Sequence, residues 1–208
     1  QIENQKNSVW KRNFLDLPNT NQSSSIVACC IQFSRDGRYV FNPKFINLWR
    51  FLFVGTNKGN VAIYCPVTCS LVSNLKVTPS SIIRQIYFSN SGRDMIINSS
   101  DRIIRAYSND WEDDEPDIEL EGKFMDSVDR TQWFDCCISA DGEYVVGGNH
   151  HWDFNVTFLA KHGVDKHDLY IWDKTSGVLT KQLNGPSDGM MGMTWHPFRP
   201  VCATIFGF

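Results

Sequence analysis

Residues 136–148 read CCISADGEYVVGG, and a later run at 168–173 reads DLYIWD. The residues on either side of Asp141 and Gly142 are mostly apolar or β-branched, as is typical of strands. Gly142 accepts the positive φ that a primed hairpin turn demands. The first run therefore predicts strand, tight turn and strand, and the second run predicts a further strand.

The same pattern recurs along the chain. Further copies begin with CIQFSRDGRYV at 30–40, QIYFSNSGRDMIIN at 85–98 and MTWHPFRPVCATI at 193–205. A weaker fourth strand is predicted in each of the first three units, at Leu71–Val77, Ile118–Lys123 and Leu179–Leu183. Matching apolar positions of successive units are 55, 50 and 57 residues apart. Blades of a WD40 propeller have four strands and about 40–45 residues.

We therefore predict an all-β fold, a partial WD40 β-propeller of about three and a half four-stranded antiparallel blades. Blades are expected near 26–80, 81–125 and 128–184, with the start of another at 190–208. Residues 1–25 are expected to be the outer strand of a preceding blade and a linker.

Three insertions explain the excess length, near 41–51, 111–117 and 150–166. Insertions are expected in surface loops. The first and third interrupt strand-to-strand turns with hydrophobic sequence, so translated non-coding sequence is a second explanation for them.

Composition limits the possible classes of protein. The chain has 208 residues, a net charge of −3, and no apolar run long enough to span a membrane. It begins without Met or a signal peptide, so we expect a fragment. The seven cysteines include two adjacent pairs that cannot easily bridge to themselves, because strand neighbours point to opposite faces. We expect free thiols in a reducing compartment.

The sequence contains no catalytic constellation. His196 lies in a Trp-His-Pro turn, where a structural role is expected. Asp36, Asp101 and Asp141 lie in predicted turns, where Asp caps its own backbone. Gly147 and its neighbour glycine are not followed by a phosphate-binding pattern.

Four further histidines lie in or beside the third insertion, and these are His150, His151, His162 and His167. They are either ordinary loop histidines or ligands of zinc or copper, although their spacing is irregular. We expect no metal and no cofactor.

Several runs identify a specific resemblance. They are DRIIRAY at 101–107, DRTQW at 129–133, CCISADGEYVV at 136–146, LYIW at 169–172 and WHPFRP at 195–200. In these runs the chain resembles the retinoblastoma-binding WD40 subunit of the COMPASS and mixed-lineage-leukaemia histone methyltransferase complexes, including its fungal counterpart. That family has about seven blades, so the chain looks like the C-terminal half of the propeller.

The resemblance implies a non-catalytic scaffold in the nucleus. Its expected partners are the other subunits of the complex and the nucleosome, and its expected role is support of methylation at the fourth lysine of histone H3. No membrane and no small-molecule substrate are implied. The alternatives are a WD40 adaptor in another complex and a hydrolase propeller, since one fold hosts many functions.

Basic residues at predicted turns are the candidate contacts. By resemblance, Arg130 is the best candidate for touching nucleosomal DNA or a partner. Arg102 and Lys58 in other turns follow, and so does Arg105 in an adjacent strand. The alternative for each is a charge that only keeps the surface soluble. The acidic run at 112–117 is either a solvated loop or a contact for a basic histone or subunit surface.

Overall fold

The computed structural model describes residues 25–34, 51–66, 68–110, 117–126, 131–149, 168–185 and 190–206. Within these ranges the chain forms fourteen strands and no helix. The strands are β1 (Ala28–Phe33), β2 (Leu52–Thr56), β3 (Asn60–Tyr64), β4 (Leu71–Lys76), β5 (Ile83–Phe88), β6 (Asp94–Ser99), β7 (Ile104–Asp110), β8 (Asp117–Phe124), β9 (Trp133–Ile138), β10 (Tyr144–Asn149), β11 (Asp168–Asp173), β12 (Leu179–Asn184), β13 (Met190–Trp195) and β14 (Cys202–Phe206).

The strands form four sheets, which we call the first to fourth blades. Each of the first three contains four consecutive strands in chain order, all paired antiparallel, and the fourth contains β13 and β14. The first strand of each blade is its inner strand. Inner strands β1, β5, β9 and β13 contact one another in that order. The predicted partial propeller of four-stranded antiparallel blades is therefore confirmed.

The apolar core lies between neighbouring blades. Phe53 of the first blade meets Phe88 of the second edge to face, with ring centroids 5.1 Å apart. Between the second and third blades, the fully buried Trp133 of the third lies in one apolar cluster with Ile104 and Phe124 of the second. Each blade alone has no closed core, so the sheets stabilise one another through their faces.

The turn between β9 and β10 differs from our expectation. It contains five residues, 139–143, and only Gly142 has positive φ, at 81°. The amide of Gly142 donates to the carbonyl of Ser139 at 3.0 Å, and the Ser139 hydroxyl accepts from the amide of Tyr144 at 2.9 Å. The predicted hairpin and the positive φ of Gly142 are confirmed, and only the primed type of turn is wrong. A longer turn that ends on a left-handed glycine replaces it.

Two glycines of β10 let the third blade pack closely on both sides. A Cβ at Gly147 would lie 2.8 Å from Ile104 Cδ1 of the second blade. A Cβ at Gly148 would collide with Met190 of the fourth blade. The two glycines serve blade packing, because a larger side chain at either position would force the sheets apart.

The expected fourth strands are confirmed, since β8 and β12 cover the second and third and β4 covers the first except for its last residue, Val77. Phe51 is buried and Asp117 begins β8, so both belong to blades although we expected them in insertions. The rest of the first two insertions, the third insertion and residues 1–24 lie outside the described residues. No helix that is long and apolar enough to cross a membrane occurs in the described part of the chain.

Candidate partner-binding face

One face of the partial propeller is built from two kinds of segment. The first kind joins the second and third strands of a blade, and the second kind connects one blade to the next. Antiparallel pairing brings both kinds to the same end of the sheets. We call this surface the upper face, and its described segments are residues 57–59, 77–82, 100–103, 125–126, 131–132 and 185.

Hydrogen bonds make the upper face continuous across the first two blades. The amide of Thr78 donates to the carbonyl of Gly59 at 3.0 Å. The amide of Ile82 donates to the hydroxyl of Ser100 at 2.9 Å. The turn of the first blade, the connection between blades and the turn of the second blade are thereby joined into one surface.

Lys58 lies in the first of these turns and is half-buried. Its carbonyl accepts a hydrogen bond from Lys76 Nζ at 3.1 Å, and the same ammonium donates to the carbonyl of Pro79 at 3.1 Å. Gly59, the next residue, has φ of 78°. The turn is thus fixed against the connection to the second blade, which holds Lys58 at the upper face.

Arg102 lies in the second turn and is exposed. Its φ of 70° is in the left-handed region, which L residues other than Asn and Asp rarely adopt. The indole Nε1 of Trp133 donates to the carbonyl of Arg102 at 2.9 Å, and the amide of Arg102 donates to the carbonyl of Ser99 at 3.2 Å. A buried tryptophan of the third blade therefore holds Arg102 in this conformation.

Arg105 is buried and stabilises the turn, whereas we expected it to form a surface contact. It is only 6% exposed. Its Nη2 lies 2.5 Å from Asp101 Oδ2, and its Nη1 donates to Ser99 Oγ at 2.8 Å. Burial raises the pKa of Asp101, but the hydrogen bonds from Arg105 and Ser99 and the charge of Arg105 outweigh it, so the pKa lies below its usual value.

A shallow depression of about 360 Å³ lies beside this turn. It is lined by Ser100, Asp101, Arg102, Ile103, Met125 and Asp126. Asp126 accepts hydrogen bonds from the hydroxyls of Thr131, at 3.1 Å, and Tyr170, at 3.3 Å. Burial, with the charge of Asp126 beside it, raises the pKa of Tyr170 to about 12, so this hydroxyl remains a donor at neutral pH. The depression offers a guanidinium, a carboxylate and an apolar rim.

The turn residues of the opposite end have the structural roles that we expected. His196 Nδ1 accepts from the amides of Phe198 and Arg199, both at 3.1 Å. Asp141 accepts from the Ser139 hydroxyl and from the amide of Glu143, and the bond from Ser139 is the main reason why the pKa of Asp141 is lowered.

Some predicted residues cannot be placed. Arg130 and Asp36 lie outside the described residues, and so do the four insertion histidines. Among the residues that are described, no group of three His, Cys, Asp or Glu side chains could hold a metal ion.

Two exposed residues of the inner strands were not predicted from the sequence, Arg84 of β5 and Phe134 of β9. Both lie beside the upper face, at the second position of their strands. Turn signals do not point to them, because both residues lie within strands.

Known proteins resemble this chain over most of its length. The Retinoblastoma-binding protein 5 homolog of Drosophila melanogaster is 30% identical over 186 residues, which are 85% of this chain and 35% of that protein. The Set1 complex component swd1 of Schizosaccharomyces pombe is 34% identical over 155 residues, 74% of this chain and 35% of that protein. The chain therefore spans about a third of the length of these relatives. No family model matches the chain.

A solved structure shares the fold. The β-propeller domain of Cps50 (Swd1) from Myceliophteria thermophila superposes with a TM-score of 0.63 at 32% sequence identity. The match covers 76% of this chain and 44% of that chain. The resemblance that the sequence runs indicated is therefore confirmed, both in sequence and in fold.

Proposed function

We propose that this chain, a homologue of the retinoblastoma-binding protein 5 and Swd1 proteins, is part of a non-catalytic scaffold subunit of a COMPASS-like histone methyltransferase complex. The observation that carries the proposal is its similarity to relatives named as Set1 complex and COMPASS components. In this role the protein is nuclear and binds the other subunits of the complex. It supports methylation of histone H3 at the fourth lysine without transferring a methyl group itself.

The upper face supports the further proposal that the protein engages the nucleosome. Lys58 and Arg102 lie on consecutive blades, in turns that hydrogen bonds fix to the same surface. Arg102 is exposed, and its backbone is held by Trp133. Two cations on turns of one surface suit the phosphates of nucleosomal DNA, which attract basic side chains in any sequence context. Arg130 is retained as a proposed third contact.

Co-purification tests the scaffold role. The full-length protein is tagged in its native cells and isolated under mild salt. A methyltransferase subunit with its partner subunits is expected in the isolate, and methylation at the fourth lysine of histone H3 is expected to fall when the protein is depleted. Isolation with an unrelated set of proteins, and unchanged methylation on depletion, would instead favour an adaptor of another complex.

Nucleosome binding tests the upper face. Affinity is measured over a series of salt concentrations for Lys58→Ala, Arg102→Ala and Arg130→Ala, in the assembled complex. Each lost phosphate contact is expected to reduce the slope of log K against log salt by about 0.9. The control is Arg199→Ala, an exposed arginine in the turn between β13 and β14, at the other end of the blades. Equal slopes for all four variants would contradict the proposed contacts.

A further inference from the structure

The inner strand of every blade has the same irregularity, a β-bulge at its second residue. In β1 the pairing passes from Ala28 to Cys30, and in β5 it passes from Ile83 to Gln85. β9 and β13 skip one residue in the same way. The four skipped residues are Cys29, Arg84, Phe134 and Met191. A bulge turns the extra residue out of the regular pairing and re-aims its side chain.

The bulges expose side chains in the interior of the blade array. β5 is flanked by β1 and β9, and β9 by β5 and β13. Even so, Arg84 is exposed and Phe134 is 42% exposed, whereas the preceding Trp133 is fully buried. Met191, in the next inner strand, is 66% exposed. Because each inner strand is the edge strand of its sheet, these residues lie at the axial rim of the upper face.

Nearby polar groups leave Arg84 available. Asp135, the acidic residue of the neighbouring strand β9, accepts hydrogen bonds from backbone N–H groups at both oxygens, from Cys136 at 2.9 Å and from Met193 at 2.7 Å. The side chain of Arg84 forms no hydrogen bond or ion pair with any other residue of the described ranges. Among the described residues, the rim therefore combines a guanidinium without a partner with apolar surface from a phenyl ring and a thioether.

This combination fits one chemical class of ligand better than others. A guanidinium binds a carboxylate through two parallel hydrogen bonds. Phe134 and Met191 supply adaptable apolar surface for a neighbouring side chain. Arg84 is the one cation among the four bulged residues, whereas a nucleic-acid backbone calls for several cations along its track.

We propose that Arg84 and Phe134 form a peptide-binding site at the axial rim of the upper face. The ligand is an acidic protein segment in extended conformation, with an aliphatic or aromatic residue next to a Glu or Asp. Its carboxylate pairs with Arg84, and its apolar side chain packs on Phe134 and Met191. The site is separate from the proposed nucleosome contacts at Lys58 and Arg102 and does not depend on them.

Fluorescence polarisation on the full-length protein tests the site. The probe is a labelled Glu-Glu-Leu-Glu-Glu peptide, compared with Glu-Glu-Ser-Glu-Glu and Lys-Lys-Leu-Lys-Lys. The leucine peptide with Glu is expected to bind most tightly. Arg84→Gln is expected to weaken it about tenfold or more, as for a lost hydrogen bond to a charged group. Phe134→Ala is expected to weaken it about fivefold, as for loss of a half-exposed apolar contact.

Matched controls lie at the other end of the blades. Phe198, 82% exposed, and Arg199 are adjacent in the turn between β13 and β14. Phe198→Ala and Arg199→Gln are expected to leave peptide affinity unchanged. Arg84→Lys keeps the charge but loses the paired hydrogen bonds, so its affinity is expected between those of the wild type and Arg84→Gln. This graded series also separates a binding effect from a folding defect.

Three results would overturn the site. The first is equal or tighter binding of the lysine peptide. The second is an Arg84→Gln affinity equal to that of Arg199→Gln. The third is a DNA duplex that binds with the same dependence on Arg84 while the acidic peptide does not bind. Nucleosome affinity of Arg84→Gln is measured in parallel, and an unchanged value shows that the two surfaces act separately.

Discussion

Gly147 provides the most direct test of how the blades pack. A Cβ at this position would lie 2.8 Å from Ile104 Cδ1, and 3.1 Å from both Trp133 Cε3 and Trp172 Cζ3. The Ile104 methyl group is the end of a side chain and can move. The two indoles cannot easily move, because both are buried and their ring centroids lie 5.1 Å apart. Overpacking of this kind costs about 1–3 kcal/mol.

We therefore expect Gly147→Ala to lower the free energy of unfolding by about 2 kcal/mol. This corresponds to a fall in Tm of about 4–8 °C for a domain of this size. The control is Gly192→Ala, because a Cβ at Gly192 would meet only Asp135 Oδ2, at 3.7 Å. The free energy of unfolding of that control should stay within about 0.5 kcal/mol of the wild type. Tm is measured by calorimetry on the full-length protein.

A second substitution isolates the cause. Ile104→Val removes the Cδ1 methyl group that the new Cβ of Gly147→Ala would approach, and alone costs about 1 kcal/mol. The double variant should be more stable than the sum of the single changes predicts, by about 0.5 kcal/mol or more. A Tm for Gly147→Ala that equals that of Gly192→Ala, or strict additivity with Ile104→Val, would refute the crowding argument.

Three ion pairs, two of which share Lys174, give further expected outcomes. Lys174 of the third blade lies 2.6 Å from Asp94 and 2.7 Å from Glu121 of the second, so Lys174→Met should destabilise the protein by about 1–2 kcal/mol in denaturant titrations. Burial lowers the pKa of Lys174, but both carboxylates outweigh it and raise the pKa, so this stability is present below about pH 10.4 and is lost at higher pH. Asp101→Asn leaves Arg105 buried without its carboxylate, and should cost about 2 kcal/mol at pH 7. The folded-state pKa of Asp101 is lowered, so the difference from the wild type should shrink below about pH 4 in acid titrations, and a constant difference would contradict the pairing.

The blades could be predicted from sequence because each carries its own local pattern. A serine and a left-handed glycine close the turns at 89–92 and 139–142, and apolar strands flank both turns. Such signals depend on neighbouring residues alone. The order and pairing of the strands could be predicted because each repeated unit of a propeller forms one four-stranded blade.

The site could be predicted only in part. The positions of Arg102 and Lys58 at the upper face could be predicted, because both residues lie in turns and turns can be located from sequence. The burial of Arg105 could not be predicted in this way. It depends on the conformation of the turn at 100–103, which brings Asp101 into an ion pair with Arg105. Arg84 and Phe134 were missed because a bulge is a property of strand pairing, and alternation along a single strand does not reveal it.

Two of the five runs that carry the resemblance, those at 101–107 and 129–133, contact each other in the structure. Arg102 belongs to the run at 101–107, and Trp133 belongs to the run at 129–133. A left-handed conformation costs about 1 kcal/mol for a residue such as Arg102. The hydrogen bond from Trp133 to its carbonyl and the ion pair of Asp101, in the same turn, with Arg105 of β7 both oppose that cost. Because the indole is also the centre of the packing between the second and third blades, the position of the exposed guanidinium depends on that packing. A substitution that loosens the blades, such as Gly147→Ala, is therefore expected to weaken partner binding at the upper face as well as stability.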